Sequence, residues 1–292
     1  MKHLAPLILA AGLACAGPAG AKDPVVQDGI AVRPLPSYLV FASEEKLERE
    51  AALQYTELMN RASQKKALAP ANHPQLLRLR AIAKRIIPFA TRWNPAAAKW
   101  DWQVNLLASK QVNAFCMPGG RIAFFTGIIN TLNLTDDEIA AIMGHEISHA
   151  LREHGRERAV KGTGTQLASR LIGAGVAAYF GIDPRVTDSV AQQAGQLAVL
   201  KFSRDDEREA DLVGLDLAAR AGYDPRAGVA LWQKMAVLNQ RQPLEFMSTH
   251  PSGADRIARM NAHMNVLLPL YARSKGVQLA QLPAYRTTAL PN

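Results

Sequence analysis

Cysteine is nearly absent: the 292 residues hold two, Cys15 and Cys116. Cys15 falls in a stretch laid out as a cleavable export signal. A mature chain would then keep Cys116 alone, which excludes an internal disulfide. The signal reading rests on Lys2 and His3, the apolar run from Leu4 to Ala16, and the small residues Ala19-Gly20-Ala21 before Lys22. Lipidation at Cys15 is the alternative, and Gly12 argues against it by standing where a lipoprotein signal normally has leucine. Long hydrophobic runs are missing too. The run from Leu4 is too short for a permanent anchor, and the small-residue stretch 165–180 is interrupted by Arg170. Aromatic residues are 6% and do not interleave with basic ones, so no nucleic-acid groove is expected. The net charge of +9 is scattered rather than clustered. It fits peripheral attraction to an anionic membrane surface, or simply a basic soluble surface. No internal repeat and no linker are evident. The division expected is residues 1–21 as signal and 22–292 as a single domain with an exported, periplasmic address.

Hydrophobic content of 48% against 20% charged is ordinary for a packed core. Residues 22–42, with Pro24, Pro34 and Pro36, read as an extended lead-in. Ser43 followed by Glu44 and Glu45 opens a helix running to about Lys66. Pro74, with Leu76, Leu79, Ile82, Ala83 and Ile86 at helical spacing, gives a second helix, ended or kinked by Pro88. Period two then takes over from Trp100 to Leu106 and from Val112 to Phe115. Pro118-Gly119-Gly120 makes a turn and Arg121 to Phe125 the returning strand. From the capping box Thr135-Asp136-Asp137-Glu138 onward the pattern is helical: 135 to about 153, 188–200, 203–221 closed by Gly222, 225–239 and 254–268. The class expected is α+β, mainly α-helical, with one small sheet.

His145 and His149 lie four residues apart on the helix opened at Thr135. Four residues turn a helix by about 400°, so both imidazoles leave one face, one turn apart, and can bind a single Zn²⁺. Glu146 stands about 100° around, in reach of a water on the metal without being a ligand. That set suits metal-assisted hydrolysis, in which the ion acidifies water and a carboxylate takes the proton. A coincidental pair of helix-face histidines is the plain alternative, and a third ligand would argue against it. A histidine six residues beyond His149 is missing, because that position is Gly155 and position 152 is Arg152. A glutamate from the acidic run Ser203 to Asp211 remains. Glu207 and Asp211 share a face there, so a liganding Glu207 could accompany an Asp211 that hydrogen-bonds a ligand histidine.

Four blocks together resemble the HtpX-like and CAAX-prenyl-endopeptidase-like gluzincins, metallopeptidase family number forty-eight. They are Asn113 to Gly120, the histidine helix, Ser203 to Asp211, and Ser248-Thr249-His250-Pro251-Ser252. The similarity covers roughly residues 75–265 and is nearer to small soluble exported members than to those with several membrane spans. It implies a zincin core with a β-hairpin beside the active-site helix. It also implies one Zn²⁺ on His145, His149 and Glu207, with Glu146 as general base and Asp211 behind a ligand. Asn113, Ala114 and Phe115 would lie on a strand that takes substrate as an added strand, although plain core packing is the simpler reading of Phe115. His250 would be a latch at the fourth zinc position. The oxyanion-stabilising residue stays open between Tyr223 and Arg204; His73, His154 and His263 have no assigned role. The implied function is a zinc metalloendopeptidase acting on protein or peptide substrates in envelope quality control. The competing reading is a zinc-containing, chaperone-like client-binding factor whose protease site is mostly plugged.

Overall fold

The computed structural model describes residues 28–162, 202–241, 243–250 and 254–290. The signal reading of residues 1–21, the small-residue stretch 165–180, the helix expected at 188–200, and Pro251-Ser252 lie outside the described residues. The elements are α1 (Glu44–Gln64), α2 (Pro74–Ile86), β1 (Gln103–Leu107), β2 (Ala114–Met117), β3 (Arg121–Phe125), α3 (Thr126–Thr131), α4 (Asp136–Leu151) and α5 (His154–Gly162). Further along the chain come α6 (Arg204–Arg220), α7 (Arg226–Arg241), α8 (Glu245–Thr249), α9 (Ala254–Ala262) and α10 (Met264–Lys275). The class is α+β and mainly helical, as expected.

Local chemistry explains most boundaries. Ser43 Oγ accepts from Lys46 N, and His73 Nδ1 accepts from Gln75 N, so His73 caps α2. Thr135 with Glu138, and Ser203 with Asp206, form reciprocal capping boxes at the starts of α4 and α6. Three expectations need correction. α4 stops at Leu151, because Glu153 adopts a left-handed backbone (φ 55°) and the chain restarts as α5. The single helix expected over 254–268 is two, broken at His263, with α10 reaching Lys275. The lead-in is not wholly extended: Ser37–Phe41 forms a 3₁₀ turn.

The sheet has the order β1-β3-β2, with β2 antiparallel and β1 parallel to β3. The tight turn before β3 needs positive φ at Gly119 and Gly120 (79° and 81°), conformations that glycine adopts without strain. Successive residues face opposite ways. Ala114, Cys116, Ile122 and Phe124 enter the main core with α2, α4, α6 and α7. Phe115, Met117, Ala123 and Phe125 face a smaller cluster under α1 with Tyr55 and Met59. α4 and α6 cross in close contact. Gly144 and Gly214 meet where they cross, and a Cβ built on Gly144 would lie 2.4 Å from the Gly214 carbonyl oxygen. No larger residue permits that approach, which brings the acidic face of α6 onto the histidine face of α4.

Candidate metal centre

α4 carries His145 and His149, and α6 carries Glu207. The residue ending α8, His250, completes a buried group of four whose donor atoms all lie within 4.8 Å of one another. His145 Nε2 is 3.1 Å from His149 Nε2 and 3.2 Å from His250 Nδ1. Glu207 Oε1 is 3.0 Å from His250 Nδ1 and 3.5 Å from His149 Nε2, while Oε2 is 3.5 Å from His145 Nε2. Donors bound to one tetrahedral ion at roughly 2.0–2.1 Å stand about 3.3–3.4 Å apart. The observed spacings of 3.0–3.5 Å fit that frame. Three imidazoles and a carboxylate are also the donor set that Zn²⁺ takes.

The surroundings hold each donor in place. His145 Nδ1 is 3.1 Å from Asp211 Oδ1. Asp211 in turn accepts from Arg256 Nε and Nη2, both at 2.7 Å. The same guanidinium reaches Glu207 Oε2 at 2.7 Å and lies 3.7 Å over the Trp232 ring. Burial works against the Asp211 charge, but Arg256 and His145 outweigh it and hold the carboxyl down to about 2. Burial likewise opposes charge on Glu207, and His250, His145 and Arg256 overcome it, so this carboxyl titrates below its usual range. His149 stacks on Phe202 (centroids 3.8 Å apart, 23° between planes) and His250 on Phe246 (4.4 Å, 21°). Burial, reinforced by neighbouring histidines, pushes the His149 imidazole well below its ordinary value, which keeps it neutral.

Glu146 projects to one side of the cluster. Its Oε1 is 3.5 Å from His250 Nε2 and accepts no hydrogen bond from the described residues. Burial raises this carboxyl to about 7, against the attraction of His250. A cavity reaching His145 between Trp232, Phe246 and Met260 measures only ≈ 10 Å³, so it gives no access for a substrate side chain.

The structure separates the glutamates of α6: Glu207 faces the histidines, and Glu209 turns to Arg33, Arg152 and His154. It moves neither oxyanion candidate to the cluster. Tyr223 packs under Arg85 (4.3 Å), its titration raised by burial and by Asp136 and Asp137 at the far end of α4, and Arg204 is exposed on the first turn of α6. Asn113, Ala114 and Phe115 are buried. Phe115 meets Tyr55 edge-on (6.4 Å, 80°), so its side chain is core. Sequence reading missed Arg256 and His154. Arg256 lies six residues past His250, too far for any helical-spacing argument across Pro251. On an unbroken helix residue 154 would point away from residue 149, and the left-handed Glu153 reverses that.

Two histidines one turn apart on a helix, a glutamate from a later helix and an adjoining carboxylate define a gluzincin-type zinc centre. The family model described as peptidase family M48 matches residues 74–264, and the chain belongs to that family. It is 36% identical over 167 residues to the mitochondrial metalloendopeptidase OMA1 of Arabidopsis thaliana, an alignment covering 57% of this chain and 32% of that protein. It is 28% identical over 202 residues to the metalloprotease LoiP of Escherichia coli, covering 69% of this chain and 75% of that one. To the beta-barrel assembly-enhancing protease of E. coli it is 26% identical over 187 residues, 61% of this chain and 37% of the relative. The chain thus spans about a third of the length of two of these relatives.

Proposed function

We propose that this protein is a zinc-dependent metalloendopeptidase, that Glu146 is its general base, and that His145, His149 and Glu207 hold the ion. The observation that carries the proposal is the buried four-donor cluster with the Glu146 carboxylate beside it, 3.5 Å from His250 Nε2. When bound, Zn²⁺ supplies Lewis acidity, polarising a scissile carbonyl and acidifying water. Glu146 takes the proton from the attacking water and returns it to the leaving amine. A carboxyl raised to about 7 is matched to both tasks near neutral pH. Asp211, fixed by Arg256, would hold the His145 ring so that its Nε2 lone pair is free to ligate an ion. The buried side chains of β2 leave its backbone as what the strand offers an extended substrate.

The substrate class proposed is misfolded or unassembled envelope protein. It is supported by the E. coli relative named as enhancing β-barrel assembly and by the sequence pattern of residues 1–21, which also supports export. Among the described residues no helix is long and apolar enough to cross a membrane. Residues 22–292 are proposed to act as one domain, with the +9 charge favouring anionic surfaces. A second reading, a client-holding factor with a plugged site, is favoured by His250, whose Nδ1 lies within the donor cluster at 3.0 Å from Glu207 Oε1.

Hydrolysis of unfolded casein by wild type and Glu146→Gln separates the two. The peptidase reading expects the variant to lose at least about 10²-fold in rate while keeping its zinc. Hydrolysis that persists in the variant refutes Glu146 as base. If neither cleaves but both suppress client aggregation, the holding reading stands. His250→Ala tests the latch: faster peptide cleavage is expected, and unchanged rate with unchanged zinc affinity removes it.

A further inference from the structure

His145 is backed directly by Asp211, but among the described residues no carboxylate contacts His149 Nδ1 in the same way. What faces that atom is His154 Nδ1, at 3.0 Å, on a ring that is 0% exposed. Two ring nitrogens at that distance share one proton, so one donates and the other accepts. For Nε2 of His149 to offer its lone pair to the cluster, its proton has to sit on Nδ1 and be donated to His154. The His154 proton is then on Nε2, which faces Glu209 Oε2 at 3.6 Å, an ion–dipole contact longer than a hydrogen bond. Glu209 is fixed as an anion by Arg33, whose Nε lies at 2.9 Å, and by Arg152, whose Nε donates to Oε1 at 2.5 Å.

We propose that His154 is a positioning residue for the metal centre, selecting the His149 tautomer that can ligate zinc and relaying the Glu209 charge to it. α6 then serves the site three times at successive alternate positions. Glu207 enters the cluster, Asp211 backs one histidine directly, and Glu209 backs the other through His154. The inference rests on the zinc-site reading above. Partners of this kind contribute about 10–100-fold to metal affinity.

The test is zinc affinity of the full chain, read by competition with a chromogenic chelator, for wild type, His154→Asn and His154→Leu. Asparagine keeps an acceptor where Nδ1 stands, whereas leucine keeps only the bulk. His154→Leu is expected to bind zinc about 10–100-fold more weakly, and His154→Asn to recover to within a few-fold of wild type. Wild-type affinity in His154→Leu overturns the proposal, as does an asparagine variant no better than leucine. Should the leucine variant fail to fold, Glu209→Gln carries the test, with weakened zinc binding expected and unchanged binding overturning. A wild-type chain that binds no zinc overturns the metal-site reading itself, whereas wild-type binding with an indifferent residue 154 overturns this inference alone.

Discussion

The crossing of α4 and α6 yields the sharpest test of how the metal site is assembled. A Cβ on residue 214 would lie 2.5 Å from His145 N, 2.7 Å from Gly144 C and 2.9 Å from His145 Cα. All three are backbone atoms, so no side chain can swing aside. Reaching an ordinary carbon contact of about 3.5 Å requires the helices to part by about 1 Å. Overpacking of this kind costs typically about 1–3 kcal/mol, and backbone-only contacts place Gly214→Ala toward the upper end. For a chain of this size that is roughly 5–10 °C in Tm. Glu207 moves with α6 relative to the histidines, and a displacement of about 1 Å is several times the tolerance of about 0.2 Å for a metal–ligand distance. Gly155→Ala is the control, because nothing lies within 4 Å of a Cβ there. Alanine is the better helix former, so that variant should be neutral or more stable by up to about 1 kcal/mol. Thermal unfolding with and without chelator, together with a zinc titration, reads both. If Gly214→Ala matches wild type in Tm and zinc affinity, or if the two variants shift Tm in the same direction, the close crossing does not set the site.

Two further expectations concern the ends of the chain. Arg33 ties the lead-in to Glu157 and Glu209, and both carboxyls are held below their ordinary range, against the opposing effect of burial, by the arginine and its neighbours. Depressed folded-state values mean that the stabilisation is complete above pH about 4.5 and is lost as pH falls from there toward 2. Arg33→Leu should therefore lower Tm at pH 6 and flatten its fall between pH 5 and 3, whereas an unchanged slope refutes the linkage. At the other end, Lys234 Nζ donates to Thr288 Oγ1 (2.7 Å) as well as pairing with Glu138 (2.8 Å), and Thr287 donates to Glu138 Oε1 (2.5 Å). Truncation after Leu282 removes those partners from buried charges and should cost about 1–3 kcal/mol by denaturant unfolding. A loss below about 0.5 kcal/mol means that water replaces the tail.

Where local chemistry decides, the fold was legible. Ser43 and Thr135 announce their helices with a cap and acidic first turns, and the period-two blocks mark the hairpin. The spacing of His145, Glu146 and His149 and the shared face of Glu207 and Asp211 could be read because a helix has a fixed period. Features that depend on a break in period were not legible. The left-handed Glu153 returns His154 to the site, and the interruption at His263 divides one expected helix into two. Tertiary closure was hidden for a different reason. Arg256 reaches Asp211 from 45 residues away, and the tail after Leu282, which has no periodicity, is held by hydrogen bonds to Lys234 and Glu138 and by Leu290 against the main core.

Trp232 also gives the molecule an optical readout of its own site. Trp93, Trp100 and Trp102 lie in the segment leading into the sheet, whereas the Trp232 ring carries the Arg256 guanidinium at 3.7 Å and stands 6.1 Å from His145 and 6.0 Å from Phe246. Phe246 is the ring on which His250 stacks. Any departure of His250 or slippage of Arg256 therefore alters the polarity and charge around one indole, and intrinsic emission from that residue would follow opening of the site in real time, without a label and without a substrate.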